Sequence, residues 1–209
     1  SNNPFKDQEI AANYESWYYN KGKKAVEEEK ALLKCFIEGY HDAGTLLEVG
    51  CGTGYFTNWF EALGFESVGL DSSSHMIKVA HENHHLFCIL GQGLNLPFKA
   101  RSFDLVTIIT TLEFLNRPKE VLQEALRVTR KGLILGVINK HSLLGLRYAK
   151  KGGPIWSHAR LFSPVELGSM LEEILPINSL ITIRTTLWPI FSGFSKLPWG
   201  GFIGVNVRL

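Results

Sequence analysis

Hydrophobic and polar residues alternate along this chain in two patterns, which together predict the order of its secondary structure. Short apolar runs typical of buried strands are separated by stretches in which apolar residues recur every three or four positions, as on one face of a helix. The runs predict seven strands, near residues 46–49, 67–71, 87–90, 103–109, 133–138, 179–187 and 201–208. Strands that alternate with helices indicate an α/β fold: a Rossmann-like, doubly wound and mostly parallel sheet with helices on both faces.

Helical spacing also marks the chain before the first strand. Its apolar stripes comprise Tyr14, Trp17 and Tyr18, and then Leu33, Phe36, Ile37 and Tyr40. We therefore predict amino-terminal helices in residues 1–44 and a Rossmann-like core in 45–209. The chain of 209 residues suits a single domain over 1–209.

A glycine-rich turn follows the first predicted strand, where residues 46–54 read L-L-E-V-G-C-G-T-G. Glycine reaches positive φ and lets a ligand approach the backbone closely. The third glycine, Gly54, comes one residue too early for the dinucleotide pattern G-x-G-x-x-G, and no P-loop lysine follows. Glu48 stands just before the glycines, where a carboxylate suits a ligand with an ammonium group better than a phosphate.

A second acid, Asp71, ends the next predicted strand, 21 positions after Gly50 (71 − 50). An acid at this spacing can hydrogen-bond ribose hydroxyls. Asp71 and Glu48 together favour S-adenosylmethionine, which carries an adenosine, an amino-acid tail and no phosphate. Two simpler interpretations stay open, namely that Asp71 caps the next helix and that Glu48 pairs with a helix terminus.

On these motifs the chain resembles the class I S-adenosylmethionine-dependent methyltransferases, and within them the type 11 small-molecule group. The resemblance covers most of residues 14–175, and its further segments are 68–73, 91–98, 102–118 and 150–167. It implies S-adenosylmethionine as cofactor, S-adenosylhomocysteine as product and a small-molecule methyl acceptor. The chain departs from the family at Gln92, where an acid is usual, and it lacks the usual Pro-Gly turn before the fifth strand.

The resemblance also assigns roles to individual residues. It suggests Tyr14 as a lid, positions 92–94 for the adenine, and Thr110 and Thr111 beside the methionine moiety. The predicted cofactor-binding residues are Tyr14, Glu48, Gly50, Cys51, Gly52, Gly54, Asp71, Ser72, Gln92, Gly93, Leu94, Thr110 and Thr111. Positions 92–94 fit an ordinary loop as well, and the aromatic stripe around Tyr14 fits core packing.

Candidates for the chemical step lie in the loops after the fifth predicted strand. His141 and His158 are candidate bases, and Arg160 is a candidate for binding a carboxylate or phosphate of the acceptor. Each also fits a solvated surface side chain. Glu113 either faces the substrate or begins a solvated loop. Methyl transfer depends chiefly on alignment of the reactants, so a sequence without an obvious catalytic dyad is still compatible with an enzyme.

The amino-acid composition says more about the binding partners of this protein than about its fold. The net charge is +2 and charged residues make up 20%, which argues against a disordered chain and against a strongly basic nucleic-acid binder. Three scattered cysteines predict neither a disulfide framework nor a metal site. No apolar run reaches the ~20 residues of a membrane span, and no signal peptide is evident, so we expect a cytoplasmic protein without stable membrane insertion.

An aromatic stretch from 187 to 202 includes Trp188, Phe191 and Trp199. It fits either a connection between edge strands or an apolar wall for the acceptor.

Two other functions compete with methyl transfer to a small molecule. An NAD(P)-dependent oxidoreductase is disfavoured by Tyr55, which stands where the third dinucleotide-binding glycine belongs, and by Glu48. A non-catalytic cofactor-binding or scaffold protein would keep the glycine loop intact without turnover. The sequence alone favours the enzyme.

Overall fold

Seven strands form one sheet in the computed structural model, which describes residues 3–189 and 192–209. Phe191 of the aromatic stretch lies outside the described residues. The strands are β1 (Thr45–Val49), β2 (Glu66–Asp71), β3 (Cys88–Leu90), β4 (Phe103–Ile109), β5 (Thr129–Ile138), β6 (Leu180–Thr186) and β7 (Phe202–Arg208). Their order across the sheet is β3-β2-β1-β4-β5-β7-β6.

The first five strands pair in parallel, and β7 runs antiparallel to both of its neighbours. The central strands β4 and β5 are mainly apolar because helices cover both of their faces, and all seven residues of β4 are buried. The predicted Rossmann-like, mostly parallel seven-stranded sheet is confirmed.

Helices pack on both faces of this sheet. They are α1 (Gln8–Tyr14), α2 (Ser16–Tyr19), α3 (Lys23–Ile37), α4 (Tyr55–Ala62), α5 (Ser74–His84), α6 (Pro118–Val128), α7 (Leu143–Lys151), α8 (Gly153–Trp156) and α9 (Pro164–Glu172). One apolar cluster joins α3 and α4 to the sheet, and another joins α6 and α9 to its opposite face. None of the helices in the described ranges is long and apolar enough to cross a membrane.

Two of these helices, α7 and α8, have no counterpart in the hydrophobic pattern. Leu143 and Leu146 of α7 are 69% and 59% exposed, so its leucines do not form one buried stripe. The helix begins instead through local hydrogen bonding, because the Ser142 side chain accepts from the backbone N–H of Gly145 at 2.9 Å. Both helices lie beyond the carboxyl end of β5, next to the amino-terminal helices.

The strand order reverses between β1 and β4, which are neighbours in the sheet although β2 and β3 separate them along the chain. Loops that leave the carboxyl ends of two such strands diverge and leave a crevice, where ligands bind in open α/β sheets. The glycine-rich turn after β1 and the threonines after β4 both lie at this edge.

Candidate active site

The glycine-rich turn is held in a left-handed conformation against the end of β4. Gly50, Gly52 and Gly54 have φ values of +78°, +54° and +82°. A Cβ on Gly50 would lie 2.2 Å from Cγ2 of Thr111, so the close approach of the two loops requires glycine. The backbone N–H groups of Gly50 and Cys51 donate to the carbonyl of Leu70 at 2.7 and 3.1 Å, which fixes the turn to β2.

The Asp71 carboxylate ties the end of β2 to the glycine turn. Its Oδ2 accepts from the backbone N–H of Gly52 at 2.9 Å, and its Oδ1 accepts from that of Ser73 at 2.8 Å. Burial raises the pKa of Asp71, and these amides oppose the shift. Ser73, and not Asp71, caps α5, since its hydroxyl accepts from the N–H of Met76. Each Asp71 oxygen has a further lone pair, which can accept a hydrogen bond from a ribose hydroxyl.

Glu48 lies below the turn and is 1% exposed. The hydroxyl of Thr57 donates to its Oε2, and the backbone amide of Thr57, in the first turn of α4, also stabilises its ionised form. Burial nevertheless dominates and raises the pKa of Glu48 to about 8. The residue therefore both supports a helix terminus and presents a carboxyl group beneath the ligand crevice.

A first cavity, of about 810 Å³, opens over the glycine turn. This volume is counted with the open mouth of the cavity. The predicted residues that line it are Tyr14, Glu48, Gly50, Cys51, Gly52, Asp71, Ser72, Gly93, Thr110 and Thr111. Gln92 and Leu94 are exposed and Gly54 caps α4, and these three do not belong to its lining.

Sequence reasoning missed the contribution of the chain before α1. Phe5 lines the first cavity, and its carbonyl accepts from the Ser73 hydroxyl at 2.6 Å. Its ring makes edge contacts with Tyr14 and Phe114, with centroids 5.7 and 4.8 Å apart. A single aromatic residue in a polar segment gives no periodic signal, so only the fold reveals that Phe5 lines the cavity.

Two threonines after β4 complete the crevice. Thr111 donates its hydroxyl hydrogen bond toward the carbonyls of Gly50 and Ile109, at 3.1 and 2.9 Å. Thr110 has φ of +47°, a left-handed conformation that is rare for a β-branched residue. Backbone strain of this kind concentrates at ligand sites, and Thr110 lines the crevice.

A second cavity adjoins the first and is bounded by α1–α3 on one side and by α7 and α8 on the other. Its volume is about 2390 Å³, counted with its open mouth. Four residues line both cavities: Tyr14, Tyr18, Thr110 and Phe114. They form a common wall, which makes the two cavities neighbours.

His141, His158 and Arg160 are exposed, and neither cavity includes them in its lining. The Arg160 guanidinium lies over the ring of Phe162, 5.2 Å from its centroid. The structure therefore does not bring these three candidates together with the predicted cofactor residues. Within residues 3–189 and 192–209, no group of three metal-ligating side chains occurs.

Two buried glutamates lie near the common wall. Glu113 is 1% exposed, which excludes the solvated loop that the sequence allowed. Its Oε1 accepts from the backbone N–H of Ile138 at 2.7 Å, whereas its buried Oε2 has no partner. Glu29, in α3, is 5% exposed and lines the second cavity. Burial raises the pKa of Glu113 to about 7 and that of Glu29 to about 8.

These buried acids set the pH dependence of stability. Glu29, Glu48 and Glu113 have folded pKa values above their ordinary 4.5, so the folded state binds more protons than the unfolded chain between about pH 5 and 8. The free energy of unfolding should therefore fall as pH rises through this window, by up to about 1.4 kcal/mol per pH unit for each group. Chemical denaturation from pH 5 to 9 measures the slope.

Glu48→Gln should make this profile shallower, while Glu27→Gln, an exposed substitution, should leave it unchanged. Stability that is flat or rises across the window would contradict the raised pKa values.

Gly50→Ala should weaken cofactor binding by about tenfold or more, since its Cβ meets Thr111 and forces the turn to move. Gly64→Ala is the matched control. Gly64 has φ of +97° with no atom within 4 Å of an added Cβ, so this change introduces strain of about 1–2 kcal/mol without a clash. Calorimetric titration should find the affinity lost in the first variant alone. Equal losses in both would mean that strain, and not the contact, matters.

Comparison with known proteins agrees with this geometry. A family model described as a methyltransferase domain matches residues 47–136. An uncharacterized protein of Methanocaldococcus jannaschii is 33% identical over 171 residues, which cover 78% of this chain and 77% of that protein.

Two solved structures extend the likeness to nearly the whole chain. An S-adenosylmethionine-dependent methyltransferase of Thermotoga maritima, described as a possible histamine N-methyltransferase, gives a TM-score of 0.79 at 25% identity over 96% of each chain. Magnesium protoporphyrin IX methyltransferase of Synechocystis, with bound S-adenosylhomocysteine, shares the fold, with a TM-score of 0.65 at 15% identity over 86% of this chain and 80% of that one. The chain therefore belongs to the class I S-adenosylmethionine-dependent methyltransferases.

Proposed function

We propose that this methyltransferase transfers the methyl group of S-adenosylmethionine to a small organic molecule bound in the second cavity. The observation that carries the proposal is the common wall of Tyr14, Tyr18, Thr110 and Phe114, which places the two cavities side by side. Two reactants held in adjoining sites gain much of the acceleration that alignment can supply, up to about 7–11 kcal/mol in favourable systems.

The residues of the first cavity fit the cofactor. S-Adenosylmethionine supplies a methyl group that its sulfonium already activates. The bare backbone of Gly50 and Gly52 admits close approach, and Asp71 offers acceptors for the ribose hydroxyls. The ammonium group of the amino-acid tail would favour the ionised form of Glu48, whose burial otherwise favours the neutral form.

The surrounding aromatic rings keep the acceptor close to the crevice. The ring of Phe5 makes edge contacts with Tyr14 and Phe114, two members of the common wall. The second cavity has aromatic side chains in its lining, among them Trp17, Tyr148 and Trp156, and these suit a small organic molecule. The Thermotoga relative, described as a possible histamine N-methyltransferase, supports this class of acceptor.

Three expectations from the sequence stay predictions. They are the roles of His141, His158 and Arg160, the single domain over 1–209 and the cytoplasmic location.

Asp71→Ala should lower the affinity for S-adenosylmethionine by roughly tenfold to a hundredfold, because hydrogen bonds to a charged group contribute about 1.5–3 kcal/mol each. The matched control is Glu66→Ala, which removes an exposed acid at the opposite end of β2. Calorimetric titration measures both. Parent-like affinity in Asp71→Ala would refute the ribose assignment.

The proposed function is tested with cofactor that carries a labelled methyl group. Calorimetry first establishes binding of S-adenosylmethionine and S-adenosylhomocysteine, with NADH as the negative control. The protein and the labelled donor are then incubated separately with the dialysable and the retained fractions of a cell extract, and Gly50→Ala serves as the inactive reference. Label in dialysable products supports the proposal. Label confined to retained protein or nucleic acid contradicts it, and binding without transfer to either fraction would indicate a scaffold.

A further inference from the structure

Glu29 is a buried carboxyl group for which the fold provides no partner. It lies on the apolar stripe of α3, three residues after Val26 and four before Leu33, and is 5% exposed. Among the described residues it makes no hydrogen bond and no ion pair, yet it lines the second cavity. Buried polar groups are nearly always paired, so an unpaired carboxyl group in the lining of a cavity is available to a ligand that supplies the partner.

The cations of the surrounding elements do not neutralise this carboxyl group. The adjacent Lys30 binds the Tyr55 hydroxyl at 3.0 Å and lies 3.8 Å from Glu27. The basic residues of the second cavity are Lys21, Arg147 and Lys151, which are exposed. None of the three forms an ion pair with Glu29 in the part of the chain that the structure describes. Their side chains are exposed, whereas Glu29 is buried, and the buried part of the lining around Glu29 is called the floor of the cavity.

Other acidic and phenolic groups surround Glu29 on the floor. The carboxyl group of Glu113 adds to the effect of burial in raising the pKa of Glu29 to about 8. After burial, the charge of Glu29 contributes to the raised pKa values of three tyrosines, Tyr14, Tyr18 and Tyr148, which come from α1, α2 and α7. The floor thus favours a positive group and repels an anion.

The walls above this floor are aromatic. Tyr148 and Trp156 stack with centroids 4.1 Å apart and an interplanar angle of 11°, and Phe114 lies 5.8 Å from Trp156. Trp17 lines the same cavity. Aromatic faces attract cations and stack on planar rings, so these walls complement a carboxyl group in the recognition of an amine.

We propose that the second cavity binds a small organic amine as the methyl acceptor, with Glu29 as the group that holds its nitrogen and takes its proton. The inference rests on the proposed function and names its substrate class. The ammonium form of the acceptor gives one proton to the Glu29 carboxylate. The nitrogen lone pair then forms the new nitrogen–carbon bond while the methyl–sulfur bond breaks and leaves its electron pair on sulfur. The product is an N-methylammonium ion.

The test begins with binding, which is independent of turnover. Protein saturated with S-adenosylhomocysteine is titrated calorimetrically with 2-phenylethylamine and tryptamine, and with 2-phenylethanol and 3-phenylpropionate as neutral and anionic counterparts. An amine should bind at least tenfold more tightly than both counterparts. Failure of both amines to bind at millimolar concentration, or equal binding of the alcohol, would overturn the proposal.

Substitution then assigns the effect to Glu29. Glu29→Gln keeps the size of the side chain and removes its charge, and Glu27→Gln changes an exposed acid on the same helix. The first should weaken amine binding at least tenfold and lower kcat/KM for N-methylation, whereas the second should alter neither. Parent-like amine affinity in Glu29→Gln would overturn the role of Glu29.

The affinity for S-adenosylhomocysteine distinguishes a failure of the role proposed for Glu29 from a failure of the proposed function. It should be the same in Glu29→Gln and in the parent protein, and retained circular dichroism and retained cofactor binding establish that the variant is folded. Should folding fail, Glu29→Asp, which shortens the side chain and keeps its charge, should retain amine selectivity with a lower kcat. Loss of selectivity for amines in that variant would contradict the proposal. Absence of cofactor binding in the parent would overturn the proposed function itself.

Discussion

The sharp turn at the carboxyl end of β1 is the constraint on which the site depends. The chain must leave the centre of the sheet, pass within contact distance of the loop after β4 and enter α4 within a few residues. Three left-handed glycines make this path possible, and two amides held by the Leu70 carbonyl fix it to β2. The same path brings the backbone, Asp71 and Glu48 to one crevice, so the fold and the candidate site have a common cause.

Features that depend on local sequence could be predicted, because the neighbouring residues determine them. The apolar runs that form the strands, the glycine turn and Asp71 are of this kind. The place of Phe5 in the lining of the first cavity, and the second cavity itself, arise from contacts between distant parts of the chain, which no local pattern records. Glu29 did leave a signal, since an acid interrupts an otherwise apolar stripe in α3, and this signal went unused.

The buried acids show a division between stability and function. Glu48 is partly supported by Thr57 and α4, and Glu113 is half satisfied by the Ile138 amide, whereas Glu29 has neither kind of support. A core built for stability alone would replace such groups with apolar side chains, since an unpaired buried carboxyl costs free energy. The three buried glutamates lie near two adjoining cavities. The free energy that they cost is therefore concentrated in the region proposed to bind ligands.

The wall shared by the two cavities has a further consequence. Tyr14 and Tyr18 belong to the amino-terminal helices, and each of them lines both cavities. A ligand that restrains these rings in one cavity changes the free energy of filling the other, and thermodynamic linkage makes that change reciprocal. Where a donor and an acceptor fill the two cavities together, each then changes the affinity for the other by the same factor, although a substitution that weakens one of them alone leaves the intrinsic affinity for the other as it was.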